Sequence, residues 1–212
     1  MPIDLPPVTR NLLIANIGIY LLQMLIGDPL IIHFALWPLG SNVLLQDGVS
    51  TGFELWQLVT YGFLHGSPSH LFLNMFPLWM FGGPIERLLG SRNFAGYYFA
   101  CIVGAAVAQL VIVGLSGEVY PTLGASGAIF GVLLAFGMLF PQQRLMVIFL
   151  PIPVKAWVFV TVYGAIELFL GVTGIQPGVA HFAHLGGMVA GFVLIQYWRG
   201  RLPIKPRRTL MR

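Results

Sequence analysis

Charge is scarce in this chain. Only 8% of its 212 residues are Asp, Glu, Lys or Arg, against about a quarter in soluble domains, and the mean hydropathy is +0.84. Those values exclude an ordinary water-soluble domain and indicate a polytopic membrane protein. Cysteine is scarcer still. Cys101 stands alone in an apolar run, which excludes a disulfide framework and a cysteine-based metal site. There is no His-Glu-x-x-His motif and no outer carboxylate at ligand spacing, so neither a metal nor a cofactor is expected. The segment from Met1 to Arg10 lacks a cleavable signal pattern, and the apolar run that follows at once reads as a retained anchor. Internal repeats and low-complexity tracts are also missing.

What the chain does have is apolar runs, at about 11–27, 69–89, 94–115, 124–140, 147–170 and 179–198. A span needs roughly 20 apolar residues, so residues 1–212 suit a single domain, an all-α bundle of six transmembrane helices. Pro121, Pro141, Pro151, Pro153 and Pro177 punctuate the runs. The first loop, roughly 28–68, carries Trp37, Phe53, Trp56 and Phe63 among polar residues, the composition of a partly embedded segment.

With both termini in the cytoplasm, all 11 basic residues fall on one side. Arg10 precedes the first span, Arg87 and Arg92 join the second and third, and Arg144 and Lys155 join the fourth and fifth. Arg199, Arg201, Lys205, Arg207, Arg208 and Arg212 form the tail, while Asp28, Asp47, Glu54 and Glu118 occupy the outer loops. The formal charge of +4 is therefore explained by orientation in a plasma membrane and by anionic lipid headgroups, not by nucleic acid.

Polar residues inside the runs are expensive in hydrocarbon and invite a functional explanation. Ser126 stands fifteen residues before Pro141 and His184 fifteen before Arg199, which puts both roughly 22 Å above the inner boundary. Asn74, thirteen residues from Arg87, sits at roughly 20 Å, with His70 one turn higher on the same helix face. Three spans thus bring polar groups to one level. Gly127, Gly131 and Ala135 repeat along the fourth span, and Ala183, Gly187 and Gly191 along the sixth. Small residues at this spacing let helices approach closely in lipid, so these spans are expected to cross with Ser126 facing His184.

A serine hydroxyl needs a base, and histidine is a suitable one. Ser126 opens its helix, where unpaired N–H groups could hold an oxyanion, as could Asn74 and His70. Glu86 lies at the far end of its span, anchoring it with Arg87, and Glu167 falls near the outer end of the fifth span, where nothing places it near His184. A Ser126–His184 dyad without an acid is therefore expected. His181 reads as a hydrogen-bonded or cavity-lining residue, His65 as loop support and His33 as an ordinary outer-loop residue.

Taken together, these residues resemble the rhomboid family of intramembrane serine proteases, over essentially the whole chain. The resemblance rests on Glu54-Leu55-Trp56-Gln57-Leu58-Val59-Thr60, Phe63-Leu64-His65, His70-Leu71-Phe72-Leu73-Asn74, Gly82-Gly83-Pro84-Ile85-Glu86, Gly124-Ala125-Ser126-Gly127 and Ala183-His184-Leu185-Gly186-Gly187. It implies that Ser126 is the nucleophile, that His184 is the general base and later acid, and that Asn74 and His70 help hold the oxyanion. It also implies that substrates are membrane-anchored proteins cut near the outer end of a transmembrane helix, with the first loop and the fifth span as candidates for lateral access. Two positions depart from the family pattern: Gln57 stands where Arg is common, and Phe130 where many relatives carry Tyr. A catalytically silent rhomboid-like scaffold would usually lack the serine or histidine, and a transporter would usually show paired repeats.

Overall fold

A computed structural model describes residues 5–44, 50–147, 150–175, 178–206 and 209. Met1, Asp47, Pro177, Arg207, Arg208, Arg212 and residues 148–149 of the expected fifth span lie outside the described residues. Helices dominate. α1 (Pro7–Ile26) starts at a proline and ends at Gly27, whose φ of 77° suits glycine. No neighbouring side chain caps its start. Glu86 does so from a distance, accepting from the Val8 and Thr9 amides and from the Thr9 and Ser91 hydroxyls at 2.7–2.9 Å. The buried carboxylate thereby ties the expected anchor point of the second span to two other helices.

The first loop folds into the short helix α2 (Asp28–Phe34), a two-strand ribbon of β1 (Val43–Leu44) and β2 (Ser50–Thr51), and α3 (Gln57–Thr60) with a 3₁₀ turn at Tyr61–Phe63. Trp37 is buried, Phe53 and Phe63 pack against the core, and Trp56 is exposed. Next, α4 (Pro68–Pro77), a wide π-type turn (Leu78–Gly82) and α5 (Gly83–Leu89) follow without a break, matching the expected run at 69–89. Pro77 has no N–H to continue the regular ladder, which accounts for the wider turn after it.

α6 (Ser91–Ser116) is the central post, burying Phe94, Tyr97, Tyr98, Cys101 and Ile102. α7 (Ser126–Leu139) has only 14 residues, about 21 Å, less than the roughly 30 Å of hydrocarbon. A helix that short begins inside the bilayer when its other end reaches a surface. The last elements are a hairpin of β3 (Arg144–Val147) with β4 (Leu150–Lys155), then α8 (Ala156–Thr173) and α9 (His181–Trp198).

The hairpin corrects the expected fifth span at 147–170. Pro151 and Pro153 lack the N–H groups a helix needs, so the apolar stretch pairs with Arg144–Val147 and helix starts only at Ala156. Helices occupy the other five expected runs to within a few residues. α1, α6 and α8 are each long and apolar enough to cross a membrane, and the molecule is a polytopic helical membrane protein.

Candidate active site

Glycine decides how α7 and α9 meet. A Cβ on Gly187 would overlap the Gly127 carbonyl, and one on Gly131 would overlap the Cys101 sulfur of α6. The expected small-residue contact between the fourth and sixth spans is present. It also has a third member, unexpected from the stripes. On α6, Gly104 faces Ala190 and Gly186 of α9, and Ala105 faces Gly127. The Tyr97 hydroxyl donates to the Gly131 carbonyl at 2.6 Å, locking α6 to α7.

This packing puts Ser126 Oγ 2.8 Å from His184 Nε2. The two residues lie on different helices, 58 positions apart in sequence, and the distance is that of a hydrogen bond. Both line a cavity of about 490 Å³ together with His70 and Asn74. No side chain caps the first turn of α7, so its leading N–H groups are not taken by a capping side chain. Ser67 caps α4 by accepting from the His70 amide at 3.1 Å, which sets the register of His70 and, one turn on, Asn74. Asn74 gives one amide hydrogen to the His70 carbonyl at 2.8 Å and keeps a second. His70 Nδ1 accepts from the Gly66 amide at 3.3 Å, leaving Nε2 to carry the proton of the neutral ring.

Gly124 is required twice over. Its φ is +126°, and a Cβ there would sit 2.8 Å from His70 Nε2. Its N–H donates to the Tyr61 carbonyl at 2.9 Å, and Thr122 exchanges two backbone bonds with Leu36. The first loop is therefore joined directly to the segment that presents Ser126.

The expectation that no acid reaches His184 is overturned. Glu167 Oε2 lies 2.7 Å from His184 Nδ1 and 2.8 Å from His181 Nδ1, and all three residues are buried. The error came from the helix boundary. Counted from residue 147, Glu167 stands at roughly 30 Å, at the outer surface. Counted from the true start at Ala156, it stands at roughly 17 Å, close to the depth assigned to His184. The signal available in the sequence was a lone acid within a span, facing two histidines three residues apart.

The three ligand-type atoms lie within 4.8 Å of one another. Donors around a tetrahedral zinc with bonds of 2.0–2.1 Å stand roughly 3.3 Å apart. The observed 2.7–2.8 Å is instead the spacing of hydrogen bonds. His181 meets its expectation as a hydrogen-bonded residue. His65 supports the loop: its backbone is clasped by the Gln23 amide, and its ring lies between Tyr20 and His70.

The family model for the rhomboid domain matches residues 52–201. The chain belongs to the rhomboid family. Rhomboid protease GlpG of Serratia proteamaculans is 29% identical over 205 residues, 92% of this chain and 63% of its own. Mitochondrial Rhomboid protein 1 of Saccharomyces cerevisiae is 33% identical over 63% of this chain and 39% of its own. Mouse mitochondrial presenilin-associated rhomboid-like protein is 34% identical over 67% of this chain and 39% of its own. The chain thus spans less than two thirds of the length of these relatives.

Within this rhomboid, both departures from the family pattern find a physical role. Gln57 is buried, accepts from the Trp37 amide at 3.1 Å and donates to the Gly52 and His33 carbonyls, so it anchors the loop without a charge. Trp56 donates to the same His33 carbonyl. Phe130 stacks on His184 with ring centres 4.3 Å apart and planes within 8°, and Tyr163 of α8 packs on Phe130. The ring stacks on the imidazole without a hydroxyl.

Proposed function

We propose that this rhomboid is an intramembrane serine endopeptidase acting on membrane-anchored proteins. The observation that carries the reading is the 2.8 Å contact of Ser126 Oγ with His184 Nε2, facing a cavity. Ser126 Oγ attacks the scissile carbonyl carbon while its proton passes to His184 Nε2. The oxyanion is held by the first N–H groups of α7, by the free Asn74 amide hydrogen and by His70 Nε2–H. As the C–N bond breaks, His184 returns the proton to the departing amine, leaving an acyl ester on Ser126. Water, deprotonated by His184, then releases the carboxylic product and restores the hydroxyl.

The distribution of basic residues supports both termini inside and a site opening outward, in a bacterial-type plasma membrane. Two of the relatives are named as mitochondrial, so the orientation rests on charge and not on family. A fluorophosphonate probe tests the reading. One adduct is expected on the peptide containing Ser126, absent from folded Ser126→Ala. Failure of folded wild type to react would favour a scaffold.

A further inference from the structure

Glu167 is the one buried polar side chain on α8, whose other buried residues are Ala156 and Val160. A carboxylate in this position is expensive unless it is matched, and here two imidazoles match it through a single oxygen. An ionised carboxylate can only accept. Both histidines must then carry their proton on Nδ1, and His184 is left with a bare Nε2 facing the Ser126 hydroxyl. That is the tautomer a general base needs. His181 cannot substitute as the base: its Nδ1 is taken by Glu167, and its Nε2 is buried without a protein partner.

We infer that Glu167 is a positioning residue for the hydrolysis, fixing the His184 tautomer and offsetting the charge that His184 gains, with His181 as the second donor that holds the carboxylate in place. The inference rests on the proposed roles of Ser126 and His184. When Ser126 gives up its proton, His184 becomes an imidazolium whose Nδ1–H still points at Glu167. The proton does not move on to the carboxylate; it leaves from Nε2 to the amine. The two opposite charges stand in a hydrogen bond away from bulk water, where such bonds are strong. Because Glu167 rides on α8 while His184 rides on α9, the arrangement is complete only when α8 is seated against α9.

Two measurements test this. Full-length protein labelled with ¹⁵N-histidine contains five histidines, and the signal lost in His184→Ala identifies His184. The expected result on wild type is the Nδ1–H tautomer. An Nε2–H tautomer overturns the inference whether or not the protein proves to be a protease. In liposomes with a single-span substrate, Glu167→Gln keeps the shape and an acceptor oxygen but removes the charge. Its kcat is expected to fall roughly 10²- to 10⁴-fold, the upper figure being what a neutral isostere does to the acid of a serine-protease triad, with KM within about twofold. A kcat equal to wild type, or a loss confined to KM, overturns the inference and leaves the Ser126–His184 reading standing. Inactive wild type with no Ser126 adduct defeats that reading instead.

Discussion

α7 and α8 both pack against α9, and they do so by opposite means. The α7 contact is glycine against backbone. A Cβ on Gly187 would overlap the Gly127 backbone, one on Gly127 or Gly131 would stand 3.3 or 3.2 Å from the Ala183 or Gly187 carbonyl, and α7 buries most of its length. The α8 contact is side chain against side chain. Ile166, Leu168, Phe169 and Val172 of α8 are exposed toward the surroundings, and Glu167 supplies its buried polar link to α9. Backbone contact leaves no alternative spacing, so it suits a serine and histidine that must stay within 2.8 Å. A contact made by a few side chains can open without dismantling that pair. The difference places the closest fit on one side of α9 and the looser one on the other.

The largest effect is expected where the fit is tightest. Gly187→Leu must push α9 from α7 and should abolish both substrate cleavage and fluorophosphonate labelling. A fully active variant would show that the crossing is not as tight as drawn. Asn74→Ala leaves both contacts intact and removes one proposed oxyanion donor, so turnover should drop roughly ten- to a thousandfold; unchanged cleavage would take Asn74 out of that role. On the looser side, a Cβ on Gly171 would lie 3.2 Å from the His181 Cβ and the Phe182 ring. Gly171→Leu should displace only the outer end of α8, lowering kcat by about tenfold, the effect of about 1.4 kcal/mol, while the Ser126 label is retained. A loss as complete as that of Gly187→Leu would erase the distinction between the two contacts.

The smallest effect concerns His65, in the loop and outside both contacts. Burial first, and nearby His70 second, push its pKa from 6.5 down to about 4. The folded chain keeps the ring neutral while the unfolded chain takes up a proton, so stability falls as the pH drops from about 6.5 toward 4. His65→Leu should flatten part of that fall in thermal midpoints measured between pH 7 and 5; an identical pH dependence would contradict the assignment.

Much of this was legible in the chain because depth in a membrane is countable. Ser126, His184 and Asn74 could be levelled against basic residues and prolines that mark one boundary, and the glycine stripes named the two helices that touch. The fifth span failed by the same logic. Its apolar run passes through Pro151 and Pro153 into the hairpin, so hydropathy alone overextended the helix by nine residues and lifted Glu167 roughly 13 Å too high. The role of α6 was hidden for a different reason. Gly104 and Ala105 lie among other small residues, and nothing in their spacing says which neighbour they face. Gln57 was legible as a departure from the family, but its three hydrogen bonds depend on the loop's path and on no local pattern.

The most direct test of the central claim is proteolysis in liposomes of a single-span protein by purified wild type and Ser126→Ala, with the products weighed by mass spectrometry. Wild type alone is expected to form two fragments whose ends meet at one hydrolysed peptide bond near the outer end of the span. Equal cleavage by the two proteins, or none by folded wild type on any of a panel of such spans, would contradict it.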